Sequence, residues 1–158
     1  MRLHSMCVVV LAAILTIAGA VPFASYAQEP AKPAAKPTVR KPVLPAASEL
    51  KWVDAPSGQG VQQAVVWGNS QKGAHGSFAK FPAGTQIPMH MHTAGGRSVV
   101  ITGTMVETLE GQQPKELGPC SYFYLHGEAK HTTACKEGAE CVIYSDWQGA
   151  FDLKPATP

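Results

Sequence analysis

The chain has 158 residues, with 13 lysines and arginines against 11 aspartates and glutamates. The excess charge does not belong to the part that folds: Lys32, Lys36, Arg40 and Lys41 against Glu29 put +3 on residues 28–47, whereas eight basic and ten acidic residues from Ser48 onward leave −2. A folded part of that balance gives no support for nucleic-acid recognition.

Residues 1–27 read as a secretory signal peptide. A short basic start (Arg2, His4) precedes the apolar run "CVVVLAAILTIAGAVPFA", and Ser25 and Ala27 supply small residues before a cut at Gln28. An uncleaved membrane anchor is the competing reading, since Cys7 to Ala24 approaches the length of a bilayer span. Gly19 and Pro22 interrupt the run near the cut, which favours cleavage. Residues 28–47 are rich in proline, lysine and alanine and poor in large apolar side chains, the composition of an extended tether. Residues 48–158 suffice for one domain with one core. The expected product is periplasmic or secreted, without stable membrane insertion after cleavage.

Within 48–158, short runs rich in β-branched and aromatic residues alternate with Gly, Pro and Asp signals, and no amphipathic helical stripe occurs. Eight strands are predicted: Val61–Trp67, His75–Phe81, Pro88–His92, Arg97–Gly103, Met105–Glu110, Cys120–Leu125, His131–Cys135 and Cys141–Trp147. The connectors "NSQKG", "PAG", "EGQQPKELGP" and "KEGAE" carry turn chemistry. Eight short strands in a domain of this size predict an all-β fold, a small barrel or double-sheet jelly roll.

Two histidines separated by one residue share a face of a strand, so His90 and His92 project together while Met89 and Met91 point the other way. Alone, this pattern is weak evidence for a metal. His131, opening a later strand, is placed to close a three-nitrogen set. His75 reads as a strand residue with a satisfied ring. In the loop "CKEGAEC", Cys135 and Cys141 flank five residues, so two paired strands can bring them opposite each other for a disulfide; two reduced buried thiols are the alternative. Cys120 is then left without a partner.

These residues together resemble the cupin superfamily. Its first motif, G-x5-H-x-H-x3-4-E-x6-G, maps onto Gly84, His90, His92 and Gly103, with Gly96 in the glutamate position. The segments "RSVVITG", "LGPCSYFYL", "KHTTAC", "AECVIY" and "GAFDLKP" look similar to the bacterial ChrR-like and DUF4437-type cupins. The resemblance spans Leu50 to Pro155 and implies a double-stranded β-helix, or jelly-roll, barrel for 48–158. It also implies a site for a divalent transition metal (Zn, Fe, Ni or Cu) on His90, His92 and His131. In the second motif His126 replaces a usual proline and Glu128 a common glycine. These two are the candidates for an additional ligand, with a solvent-facing turn as the plainer reading of His126. Arg97 is the candidate for substrate binding, able to fork onto a ligand carboxylate, or else a structural partner of an acidic neighbour.

No serine triad, phosphate loop or paired-carboxylate motif competes. The resulting expectation is an exported metal-binding cupin, either a metal-dependent enzyme acting on a small polar or carboxylate-bearing molecule, or a non-catalytic small-ligand-binding or sensory module. A structural cupin with residual histidines is the third reading. The expected partner is a small molecule, with a homodimer left open and catalytic residues unassigned.

Overall fold

Strands this short leave most of their backbone groups unpaired until neighbours supply partners. The computed structural model describes residues 42–157, so the expected signal peptide and most of the expected tether lie outside the described residues. A single 3-10 turn at Ala47–Glu49 precedes eleven strands: β1 (Val53–Asp54), β2 (Gln62–Gly68), β3 (His75–Phe81), β4 (Gln86–Met91), β5 (Gly96–Thr102), β6 (Met105–Leu109), β7 (Lys115–Leu117), β8 (Tyr122–Leu125), β9 (His131–Cys135), β10 (Cys141–Trp147) and β11 (Lys154–Pro155). They pair into two antiparallel sheets, one in the order β1-β2-β3-β10-β5-β8 and the other β11-β4-β9-β6-β7. Their inner faces share one apolar cluster containing Val61, Phe81, Ile87, Val100, Met105, Leu117 and Ile143. This is the all-β jelly-roll barrel expected of a cupin.

All eight predicted strands are present, His75–Phe81, His131–Cys135 and Cys141–Trp147 with the predicted ends and the other five with shifted ones. β1, β7 and β11 were not predicted. They have two or three residues each, and Leu117 is the only buried one among them, so no alternation of apolar and polar residues marks them.

The registers sort the inward side chains into levels. In the larger sheet Trp147 lies opposite His75 and Gly96, Ser145 opposite Ser77 and Ser98, and Ile143 opposite Ala79 and Val100. In the smaller sheet His131 lies opposite His90 and Leu109, Thr133 opposite Ile87 and Glu107, and Cys135 opposite Met105. A disulfide joins Cys135 at the end of β9 to Cys141 at the start of β10, strands of different sheets, and so ties the two sheets together at the lowest level, with Cα atoms 5.8 Å apart.

Strict alternation would put Ile87 and His90 on opposite faces of β4, because they are three residues apart. Both are buried, since the pairing with β9 slips by one residue between Ile87–Thr133 and His90–His131. The slip falls at Pro88 and Met89. Proline has no amide to give to the ladder, and a bulge is where a strand tolerates it. The bulge thus lets β4 contribute an apolar side chain to the core and a histidine above it.

Candidate metal centre

Three strand ends and one loop meet at the upper level. His90 comes from β4, His92 from the residue just past it, and His131 from the start of β9; they are 3%, 8% and 2% exposed. Ring centroids lie 4.2 Å apart for His90 and His131, 5.1 Å for His90 and His92, and 5.4 Å for His92 and His131. One nitrogen from each falls within 4.8 Å of the others.

The backbone selects which nitrogen that is. His90 Nδ1 donates to the Pro88 carbonyl at 2.7 Å, His131 Nδ1 to the Ala129 carbonyl at 2.9 Å, and His92 Nδ1 to the Asp152 carbonyl. A carbonyl oxygen only accepts, so each Nδ1 carries the proton and each Nε2 keeps a lone pair. Orientation of a ligating ring through its other nitrogen is how metal sites hold histidine. Burial lowers all three pKa values, that of His131 to about 4, so the rings stay neutral near pH 7. Three neutral imidazoles fit a divalent transition metal and leave coordination positions for water or a ligand.

Asp152 also anchors the loop that carries its carbonyl. Its carboxylate accepts the Thr93 amide at 2.8 Å and the Thr93 hydroxyl, and these two bonds, with the Lys154 ammonium nearby, hold its pKa down. The C-terminal segment thereby positions His92.

His90 and His92 border a cavity of about 80 Å³, whose lining includes Ser77, Ser98, Glu107, Thr133, Ser145, Trp147 and Phe151. Glu107 is 8% exposed; desolvation raises its pKa to about 8, partly opposed by the Thr133 hydroxyl donating to Oε2 at 2.9 Å. Gly96, at the glutamate position of the cupin motif, faces the Trp147 ring so closely that a Cβ would come within 2.9 Å of it. The indole thus occupies the space a glutamate would enter. It lies edge-on to His92, with centroids 4.9 Å apart, and Phe151 flanks both rings.

Several expected site residues lie elsewhere. Arg97 is exposed, with its guanidinium 5.3 Å from the centroid of Tyr124, because β5 turns Gly96, Ser98 and Val100 inward and the residues between them outward. Arg97, the candidate for substrate binding, is therefore not among the residues that line the cavity. His126 is exposed, with its Nδ1 bonded to the Gly127 carbonyl, as the turn reading holds. Glu128 adopts a left-handed φ of 64°, and its exposed carboxylate pairs with Lys154 at 3.4 Å. Neither belongs to the histidine cluster, which corrects their candidacy as further ligands. His75 is fully buried and stacks on Trp147; Nδ1 meets the Gly73 carbonyl at 3.0 Å, but Nε2 has no partner, so its ring is only half satisfied. Cys120 is an exposed free thiol with φ of 66°.

Sequence reasoning missed Glu107, Asp152, Trp147 and the three serines. The first and last were in view inside strands whose alternation fixed their facing; what was lacking was the pairing that sets them at one level.

A family model described as a domain of unknown function (DUF4437) matches residues 18–154. Among curated proteins none matches. Among solved structures, the polyketide cyclase RemF from Streptomyces resistomycificus is similar with a TM-score of 0.62 and 14% identity, covering 76% of this chain and 87% of that one. KdgF from Halomonas sp. gives 0.55 and 21%, covering 68% and 94%. A chain of the Rhodobacter sphaeroides SigE complex with the anti-sigma ChrR gives 0.52 and 19%, covering 65% of this chain and 51% of that one. At these identities the likeness speaks for the fold.

Proposed function

The chain belongs to the DUF4437 family, within the cupin superfamily, and from that premise we propose that it is an exported metal-dependent enzyme acting on a small polar molecule, with His90, His92 and His131 as its metal ligands. The observation that carries this reading is the convergence of three neutral imidazoles on one another, each turned by a backbone carbonyl, two of them lining a cavity that also holds a buried carboxyl group. A metal bound there supplies a Lewis acid or an activated water. Glu107 supplies a group able to hold or release a proton close to neutral pH. With Arg97 outside, no lysine or arginine among the described residues lines the cavity, which favours a neutral polar substrate over one recognised by a guanidinium. Export is supported by the order of basic start, apolar run and small-residue site, and a disulfide suits an oxidising compartment.

A binding module without turnover is the second reading. It is favoured by the Trp147 ring standing where the cupin motif has its glutamate.

One preparation tests the proposal. Chain recovered from the exported fraction should begin near Gln28 and carry about one divalent transition metal per chain, the capacity of a single three-histidine site. Alanine at His90, His92 or His131 should each lower that occupancy, while His126→Ala leaves it unchanged. Stoichiometry far below this with zinc, iron, nickel and copper alike, or binding indifferent to His90→Ala and His131→Ala, would sink the metal reading. Exported chain still beginning at Met1 would sink the export reading.

A further inference from the structure

One level below the histidines, five of the six inward positions on six neighbouring strands are polar. Ser77, Ser145 and Ser98 stand in one transverse row across β3, β10 and β5, and Thr133 and Glu107 face them from β9 and β6; Ile87 on β4 is the exception. All five are buried, between 3% and 8% exposed, and all five line the cavity. One level further down, Ala79, Ile143 and Val100 occupy the same three strands of the larger sheet, and Cys135 and Met105 the two of the smaller.

A protein core does not collect hydroxyl groups at one level without a use for them, because each buried polar group costs free energy when it lacks a hydrogen bond. The groups present do not satisfy one another. Ser98 and Ser145 share one bond at 2.8 Å, and Thr133 donates to Glu107 Oε2, but Ser77 Oγ and Glu107 Oε1 have no hydrogen-bond partner among the described residues. Neither atom is sealed away: among the described residues the one fully enclosed unpartnered side-chain atom is His75 Nε2. The free hydroxyl and the free carboxyl oxygen therefore face the cavity.

We propose that Ser77, Ser98, Ser145, Thr133 and Glu107 form a hydrogen-bonding floor that binds the hydroxyl and carbonyl oxygens of a compact, uncharged hydroxycarbonyl compound. The proposal deepens the reading of the histidines as a metal centre, resting on that reading for the placement of the substrate's other end. The chemistry of the floor sets the class. Serine hydroxyls both donate and accept, as a ligand hydroxyl does, so an alcohol matches them without an unpaired partner on either side. A lining without lysine or arginine gives no counter-charge to an anionic tail. The cavity of about 80 Å³ restricts the ligand to a compact molecule.

Dihydroxyacetone, with acetone as its hydroxyl-free counterpart, probes the floor directly. Amide chemical shifts of the full exported chain are followed during titration with each compound, once with zinc present and once after chelation. Dihydroxyacetone should bind at least tenfold more tightly than acetone, with the largest shifts at Ser77, Ser98, Ser145, Glu107 and Thr133. Ser77→Ala removes a hydroxyl that leaves no protein partner orphaned, and Glu107→Gln keeps the shape while removing the acid. Each should cut the preference at least threefold without changing zinc stoichiometry. Equal affinity for the two compounds, or a preference untouched by both variants, overturns the floor. If the preference appears in chain that takes up none of zinc, iron, nickel and copper, the floor stands and the metal reading falls; if one of these metals binds and the preference is absent, the reverse holds.

Discussion

At the base of the sandwich, Val100, Met105, Cys135, Cys141 and Ile143 fill the space between the sheets with sulfur and hydrocarbon, all of them 7% exposed or less. Two residues further along the same strands the inward side chains are Ser98, Glu107, Thr133 and Ser145, equally buried, and above them come His131, Gly96 and Trp147. Backbone pairing and depth hardly change between these levels, so the difference lies in the side chains alone. The lower level uses burial to stabilise, through apolar area removed from water. The upper levels use burial to change chemistry: it keeps imidazoles neutral, raises a carboxyl pKa and withholds water from hydroxyl groups. Alternation in and out along β5, β6, β9 and β10 permits this division, because register sets which side chains share a level, and on β4 the bulge at Pro88 restores the inward facing that alternation would lose.

The strongest way to break the comparison is to cut into the base. Met105 is fully buried and packs in the apolar cluster, so Met105→Ala should destabilise by about 2–5 kcal/mol, the range for removing a large buried aliphatic side chain. At temperatures where that variant remains folded, its zinc stoichiometry should match that of the unaltered chain. Thermal or urea unfolding measures the first quantity and elemental analysis the second. A variant that loses metal in proportion to stability would show that the two levels are not separable.

That division is also where the sequence was readable and where it was not. Alternation marked the eight longer strands because each buries one face, and the H-x-H pattern put His90 and His92 on one side of β4 whatever the strand's start. It could not show that Ile87 joins them, because the bulge at Pro88 breaks the alternation on which the inference rests. Arg97 failed for a related reason. Its identity suggested an anchor, but Gly96 beside it takes the inward position, and a glycine carries no side chain to announce which way it faces. Ser77, Ser98 and Ser145 are common residues scattered over 69 positions of chain; only the pairing of β3, β10 and β5 makes them a row. The Nδ1 acceptors were hidden for the same reason in the case of Asp152, sixty residues from His92, whereas Pro88 and Ala129 each lie two residues before the histidine they orient.

A smaller effect sharpens the comparison through pH. Glu107 has its pKa raised to about 8 in the folded chain from an ordinary carboxyl value of 4.5. Between those values the unfolded chain has released the proton that the folded chain still holds, so stability is full below about 4.5 and declines as pH rises through 8. Glu107→Gln removes that dependence. The variant should be more stable than the unaltered chain at pH 9 than at pH 5 by on the order of 1–2 kcal/mol, less than 1.36 kcal/mol per pK unit would give, because water in the cavity relaxes part of the desolvation. Urea midpoints of chelated protein at the two pH values measure it. An unchanged difference would show that Glu107 is ionised in the folded state and would place it with the ordinary surface carboxylates.

The smallest expected effect concerns the outer face. Arg97 and Glu107 are both ionisable residues on strands that border the cavity, one turned out and the other in, and only the inward one should matter to what the cavity does. Arg97→Ala removes a guanidinium resting beside the exposed Tyr124 ring, a contact worth about 0.5–1 kcal/mol at a solvent-exposed site. Metal stoichiometry and the affinity for dihydroxyacetone should both be unchanged within error, because no atom of Arg97 lines the cavity. Calorimetric or spectroscopic titration of the variant beside the unaltered chain decides the point. A loss of ligand affinity greater than threefold, without loss of stability, would mean that the outer face of β5 communicates with the cavity through Gly96 and Trp147. The near contact of that pair, which leaves no room for a Cβ, is the one physical route by which a change at position 97 could reach the histidines.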